Sequence, residues 1–102
     1  MSAVEAEDNK SPSLRLDGLV AVVSGAGRGL GRGIALALAD AGAELVLVSR
    51  TQSDLDEVAE RITEAGGTAR TVVCDVTDAA QVTERIESLE RIDILMNNAG
   101  AN

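Results

Sequence analysis

Residues 19–42, LVAVVSGAGRGLGRGIALALADAG, leave this chain few folds to choose from. Leu19 to Gly25 is a continuous apolar run closed by glycine, the pattern of a strand covered on both faces. Leu30, Ile34 and Leu38 then recur at i, i+4 and i+8 as far as Gly42, which predicts a helix with a glycine stop. A strand covered on both faces and followed at once by a helix suits a layered α/β architecture.

The rest of the chain repeats the alternation. Glu44 to Arg50 reads as a second buried strand. A helix is expected from Ser53 to Ala65, with Ser53 as N-cap and Asp56 three residues on. Its stripe is Leu55, Val58, Ala59 and Ile62, and Gly66-Gly67 is its stop. Ala69 to Val76 is a third strand. Thr77 is placed to cap a third helix with the stripe Val82, Ile86 and Leu89. Ile92 to Met96 is a fourth strand, ending at Asn97. Strand follows helix without a closing helix, so the expected fold is an incomplete doubly wound parallel sheet with right-handed crossovers. Residues 1–13 are polar and read as a disordered tail, with residues 14–102 as the folded unit. About 90 residues is a size at which a core is marginal.

Composition removes several classes of function. The formal charge is −8, which argues against nucleic acid and anionic membrane surfaces as partners. No segment approaches the roughly 20 apolar residues of a membrane span. Phe, Tyr and Trp are absent, so bases cannot stack on aromatic rings. With no His and a single cysteine, neither a His-based triad nor a Cys/His zinc site is available, and no metal is expected. One cysteine also fits a reducing, cytoplasmic location.

The loop SGAGRGLGRG joins the first strand to the first helix. The spacing G-x-G-x-x-G fails because Leu30 holds its third position; G-x-x-x-G-x-G fits, as Gly25, Gly29 and Gly31. Glycines here let the backbone approach a pyrophosphate, whose charge sits at the amino end of the following helix. The competing reading is a flexible turn, but each interior glycine costs a helix about 1 kcal/mol relative to alanine, and several together need a reason.

Taken with Asp75-Val76 and Asn97-Asn98-Ala99-Gly100, this loop resembles the short-chain dehydrogenase/reductase family, from about Leu16 to the last residue. The resemblance implies a Rossmann fold with strand order 3-2-1-4. It implies that Gly25, Arg28, Gly29, Leu30 and Gly31 wrap the pyrophosphate and nearby ribose, and that Asp75 and Val76 meet the adenine edge. Asn98, Ala99 and Gly100 would line the adenine-side ribose. Two departures stand out. Ser24 replaces the usual threonine, and the stretch from Asp75 to Asn97 is shorter than usual by about four residues, roughly one helical turn. Leu89-Glu90 stands near where the family often has an aromatic-glycine pair.

NAD-type sites place an acid at the end of the second strand, on the ribose 2′-hydroxyl. Here that strand ends in Ser49 and Arg50, and Arg28 lies in the glycine loop. A 2′-phosphate matches a guanidinium fork. Charged hydrogen bonds contribute about 1.5–3 kcal/mol each, so NADP is expected over NAD by two decades or more. The alternative is that both arginines are merely solvated. Arg32, one turn further on, is expected to face solvent.

Other residues carry ordinary roles in this reading. Cys74 is expected to be buried, Asp54, Asp56 and Glu57 to suit the dipole of the second helix, and Asp93 to cap or pair. The resemblance places the family's catalytic serine, tyrosine and lysine, and a further asparagine, beyond Asn102, so no catalytic residue is assigned. The expected role is the NADP-binding half of a carbonyl/alcohol oxidoreductase. The alternatives are a truncated, non-catalytic nucleotide-binding protein and, third, a methyltransferase-like Rossmann module. Without further strands, much of the second sheet face and the fourth strand's edge would be bare. Self-association, or pairing with another chain, is expected there.

Overall fold

The computed structural model describes residues 15–75 and 77–98, apart from the side chains of Ala79 and Val82. The expected tail, Val76, Ala99 and Gly100 lie outside the described residues. Within them the order is β1 (Val20–Ser24), α1 (Gly29–Asp40), β2 (Glu44–Ser49), α2 (Gln52–Glu64), β3 (Thr68–Val73), α3 (Ala79–Glu87) and β4 (Ile94–Asn97). The four strands form one parallel sheet in the order β3-β2-β1-β4, the expected topology. In the register, Val22 lies between Val46 and Leu95.

All five residues of β1 are buried, as its unbroken apolar run requires. Alternate side chains serve opposite faces. Ala21, Val23, Leu45 and Leu47 join Ala35 of α1 and Leu55, Val58 and Ile62 of α2 in one core. Val20, Val22, Val46 and Val48 form a second core with Cys74, closed by Val72, Ile86 and Leu89. That corrects the expectation of a bare second face. The short α3 still brings Ile86 and Leu89 against the valines of β1 and β2, and on that face it is Leu95 of β4 that stays exposed. In β4, Leu95 is 60% and Met96 36% exposed, beside a cavity of about 140 Å³ lined by Val22, Val48, Cys74, Ile86 and Leu95.

Helix ends explain several boundaries. α1 and α2 both close in Schellman motifs: Gly42 donates to Ala39 and Ala43 to Leu38, and likewise Gly66 to Thr63 and Gly67 to Ile62. Ser53 is not the cap of α2. Thr51 takes that position in extended conformation, without a side-chain hydrogen bond. Thr77 is not the cap of α3 either, because its N–H and hydroxyl both donate to Asp75 Oδ1, at 2.9 and 2.6 Å. Asp78 caps instead, accepting from the N–H groups of Ala80 and Gln81. Leu30 departs from the expected stripe: it is 67% exposed, and the buried positions of α1 are Gly31 and Ala35.

Asp93 locks β4 to β1. Its N–H donates to the Val20 carbonyl at 2.8 Å and its Oδ2 accepts from the Val20 N–H at 2.8 Å, while Arg91 pairs with the same carboxylate at 2.9 Å. The bond from Val20 first, then Arg91, holds the Asp93 carboxyl below its ordinary 3.8, against the opposing effect of burial. A depressed folded-state value means that this stabilisation is complete above the unfolded value and is lost as pH falls through the folded one. In urea denaturation followed from pH 7 to pH 2, Asp93→Asn is expected to lower the midpoint at neutral pH. Its loss of stability below pH 3.8 should be shallower than that of the parent chain.

Candidate functional site

The carboxyl ends of all four strands meet at one rim. The N–H groups of Gly25 and Ala26 both donate to the Val48 carbonyl, at 2.9 and 3.3 Å, which carries the glycine loop across the end of β2. Cys74 N–H donates to the Ser49 carbonyl at 2.9 Å, bringing the end of β3 alongside. Ser24 Oγ donates to Asn97 Oδ1 and accepts from the Asn98 N–H, each at 3.0 Å, so the hydroxyl that stands in for threonine ties β1 to β4. The connection from β1 runs to β2 on one side, and the connection from β3 crosses to β4 on the other; the crevice at such a switch point is where open α/β sheets bind ligands.

The loop is shaped by close approach. Gly25 and Gly29 have φ of 67° and 58°, in the left-handed region that glycine enters without strain. Gly31 is buried, and a Cβ there would run into the Gly25 carbonyl oxygen and stand 2.7 Å from Asn98 Nδ2. A Cβ on Gly33, by contrast, would meet nothing within 4 Å. One helical glycine therefore has a packing reason and its neighbour has none. α1 begins at Gly29 with Arg28 as an extended N-cap, no side-chain cap bond and no acid in its first turn. Its positive end is left unneutralised by its own sequence.

Asn98 is 7% exposed and its Nδ2 is buried without a hydrogen-bond partner. Ser49, half-buried, accepts from the Thr51 N–H at 3.3 Å and keeps its own proton to donate. Arg50 is exposed at the same rim. Asp75 Oδ1 is held by Thr77, whose hydroxyl and then N–H keep the carboxyl below the usual carboxylate range, with the charge of Arg50 adding to the effect against desolvation. Cys74 is buried, as expected.

The amino-terminal parts of α1 and α2 are clasped by two ion pairs, Arg28 to Asp54 at 3.3 Å and Arg32 to Glu57 at 3.4 Å. Arg32 is thus a helix clamp with a 29% exposed side chain, not the solvent-facing charge expected. Asp54 was missed as a neighbour of the loop: position in the first turn of α2 is legible in sequence, but which way its carboxylate faces is not. A larger concavity of about 350 Å³ opens at the opposite end of the sheet, lined by Gly42, Glu44, Ile62, Gly66 and Thr68. It faces helix C-termini, whose partial negative charge does not suit phosphate.

The expected site residues Gly25, Arg28, Gly29, Leu30, Gly31, Ser49, Arg50, Asp75 and Asn98 therefore lie along one rim, while Val76, Ala99 and Gly100 lie outside the described residues. Among the described residues, no cluster of three or more His, Cys, Asp or Glu could hold a metal, and no helix is long and apolar enough to cross a membrane.

A short chain dehydrogenase family profile matches residues 19–102. The chain is 48% identical over 90 residues to an uncharacterised oxidoreductase of Mycobacterium tuberculosis, covering 84% of this chain and 34% of that protein. It is similar to the crystal structure of a hydroxysteroid dehydrogenase from Escherichia coli, with a TM-score of 0.81 and 38% identity over 89% of this chain and 40% of that one. It is also similar to a 3-oxoacyl (acyl-carrier-protein) reductase from Agrobacterium tumefaciens C58, solved with NADP bound: TM-score 0.76, 34% identity, 87% of this chain and 36% of that one. The chain spans about a third of the length of the curated relatives it matches. It is an oxidoreductase-family Rossmann unit with a parallel 3-2-1-4 sheet, and it belongs to the short-chain dehydrogenases.

Proposed function

We propose that residues 14–102 form the NADP-binding half of a short-chain oxidoreductase acting on carbonyls or alcohols. The observation that carries this reading is the uncapped amino end of α1 lying over the cradle of Gly25 and Gly31. Phosphate oxygens are suited to those N–H groups, and glycine at position 31 lets the helix end pack this closely on the loop. The unpartnered Asn98 Nδ2 beneath the same loop supplies a donor to the nucleotide side of the crevice. A bound nicotinamide dinucleotide supplies or accepts the hydride. Arg28 and Arg50 neutralise the 2′-phosphate, Ser49 donates to it, and Asp75 orients the adenine edge. Ala99, Gly100 and Val76 belong to the proposed site by resemblance.

Within these 102 residues the proposed role is binding, not chemistry. Carbonyl reduction needs a proton donor, and the chain has no tyrosine and no histidine, and its one lysine is Lys10. A reducing, cytoplasmic setting and self-association through the β4 edge complete the proposal. The edge argument rests on exposed Leu95 and Met96. Replacing both by lysine is expected to shift sedimentation of the chain toward monomer.

Calorimetric titration should give NADP⁺ affinity above that of NAD⁺ by roughly 10- to 100-fold, the lower end reflecting solvent exposure of the arginines. Arg28→Ala with Arg50→Ala should abolish the preference. Comparable affinities in the parent chain would refute NADP as the cofactor. Gly31→Ala is expected to lose at least about tenfold in binding of either dinucleotide, because its methyl displaces the Gly25 carbonyl. Gly33→Ala, the control, should bind normally and gain about 0.5–1 kcal/mol in stability.

A further inference from the structure

Asp54 touches the glycine loop at two points. A Cβ on Gly27 would lie 2.5 Å from the Asp54 Cβ, so the backbone of the loop rests on this side chain. Asp54 Oδ2 also lies 3.3 Å from Arg28 Nη2. The two partners differ in freedom: the Arg28 side chain is 77% exposed, whereas that of Asp54 is 31% exposed and seated against the loop. The guanidinium is open to solvent, and the carboxylate is packed against the loop.

A phosphate on the ribose 2′ position would compete with Asp54 for Arg28, since one guanidinium offers five donors but one net charge. It would also meet a fixed like charge. Both effects act on the phosphate of NADP, and neither acts on the hydroxyl that NAD carries there. Glu57, one turn on, is engaged by Arg32, so the clamp between α1 and α2 does not depend on Asp54 alone. We propose that Asp54 is a specificity-determining residue that holds Arg28 before nucleotide arrives and weakens NADP relative to NAD. The inference rests on the dinucleotide site proposed above.

The test is titration of the parent chain, Asp54→Asn, Asp54→Ser, Arg28→Ala and the Arg28→Ala, Asp54→Asn double variant with NADP⁺ and with NAD⁺. Circular dichroism melting verifies that each is folded. Both Asp54 variants are expected to bind NADP⁺ about three- to tenfold more tightly, the size of a released exposed ion pair plus a removed repulsion. NAD⁺ affinity should be unchanged, and the gain should shrink when Arg28 is alanine. Weaker NADP⁺ binding in both variants would overturn the inference and make Asp54 a support for Arg28. Equal changes for both cofactors would overturn it in favour of a purely structural contact. A parent chain without NADP preference strikes the cofactor reading alone if the Asp54 variants still gain for NADP⁺. Failure of every variant to bind either dinucleotide defeats both.

Discussion

The passage of the first turn of α1 over the Gly25 carbonyl is the closest approach of a glycine to backbone outside its own helix among the described residues. A methyl at position 31 would occupy the place of that oxygen. Because α1 starts there, its axis is committed before its apolar residues are considered, and Ala35, Ile34 and Leu38 then find the sheet. The same approach brings the helix amino terminus to the carboxyl end of β1. The underside of the loop meets Asn98, which Ser24 holds at the end of β4. Fold and site are therefore one geometric fact viewed from two sides.

Electrostatics at the rim is layered over that geometry. The helix dipole and two arginines favour an anion, while the chain as a whole carries −8. Acids near the rim are partly neutralised in place: Glu57 by Arg32 and Asp54 by Arg28. The basic end of the sheet is thus a local property, set by which acids are held and where, and the net charge gives no hint of it.

The layout of strands and helices was legible because β1 and β2 are continuous apolar runs, α2 carries a clear helical period, and α1 and α2 stop at glycines in closing motifs. What was not legible depended on side chains choosing between near-equal partners. Thr77 and Asp78 are adjacent cap candidates, and the decision follows from Asp75 claiming Thr77; the spacing of Asp78 and Gln81 was the available signal, and the Gln81 amide does reach back to Asp78 at 3.2 Å. Leu30 fits a helical stripe by count, yet it lies in a first turn where Gly31, not a leucine, faces the sheet end. In the site, the glycine spacing pointed to the rim. The contact of Asp54 with residues 26 positions earlier could come only from packing.

β1 is a central strand only after β4 has joined it. Its partner Asp93 lies 73 residues from Val20, roughly three times the separation between paired residues of β1 and β2. Closing the longer loop costs about 1 kcal/mol more in chain entropy. As the chain emerges from a ribosome, the β1-α1-β2-α2-β3 segment can assemble first, with Val20 to Ser24 presenting a free edge of valines. β4, made after that segment, is the strand that shields this edge and positions Asn98 under the glycine loop. Protection from misassembly and completion of this side of the crevice arrive together, when β4 docks.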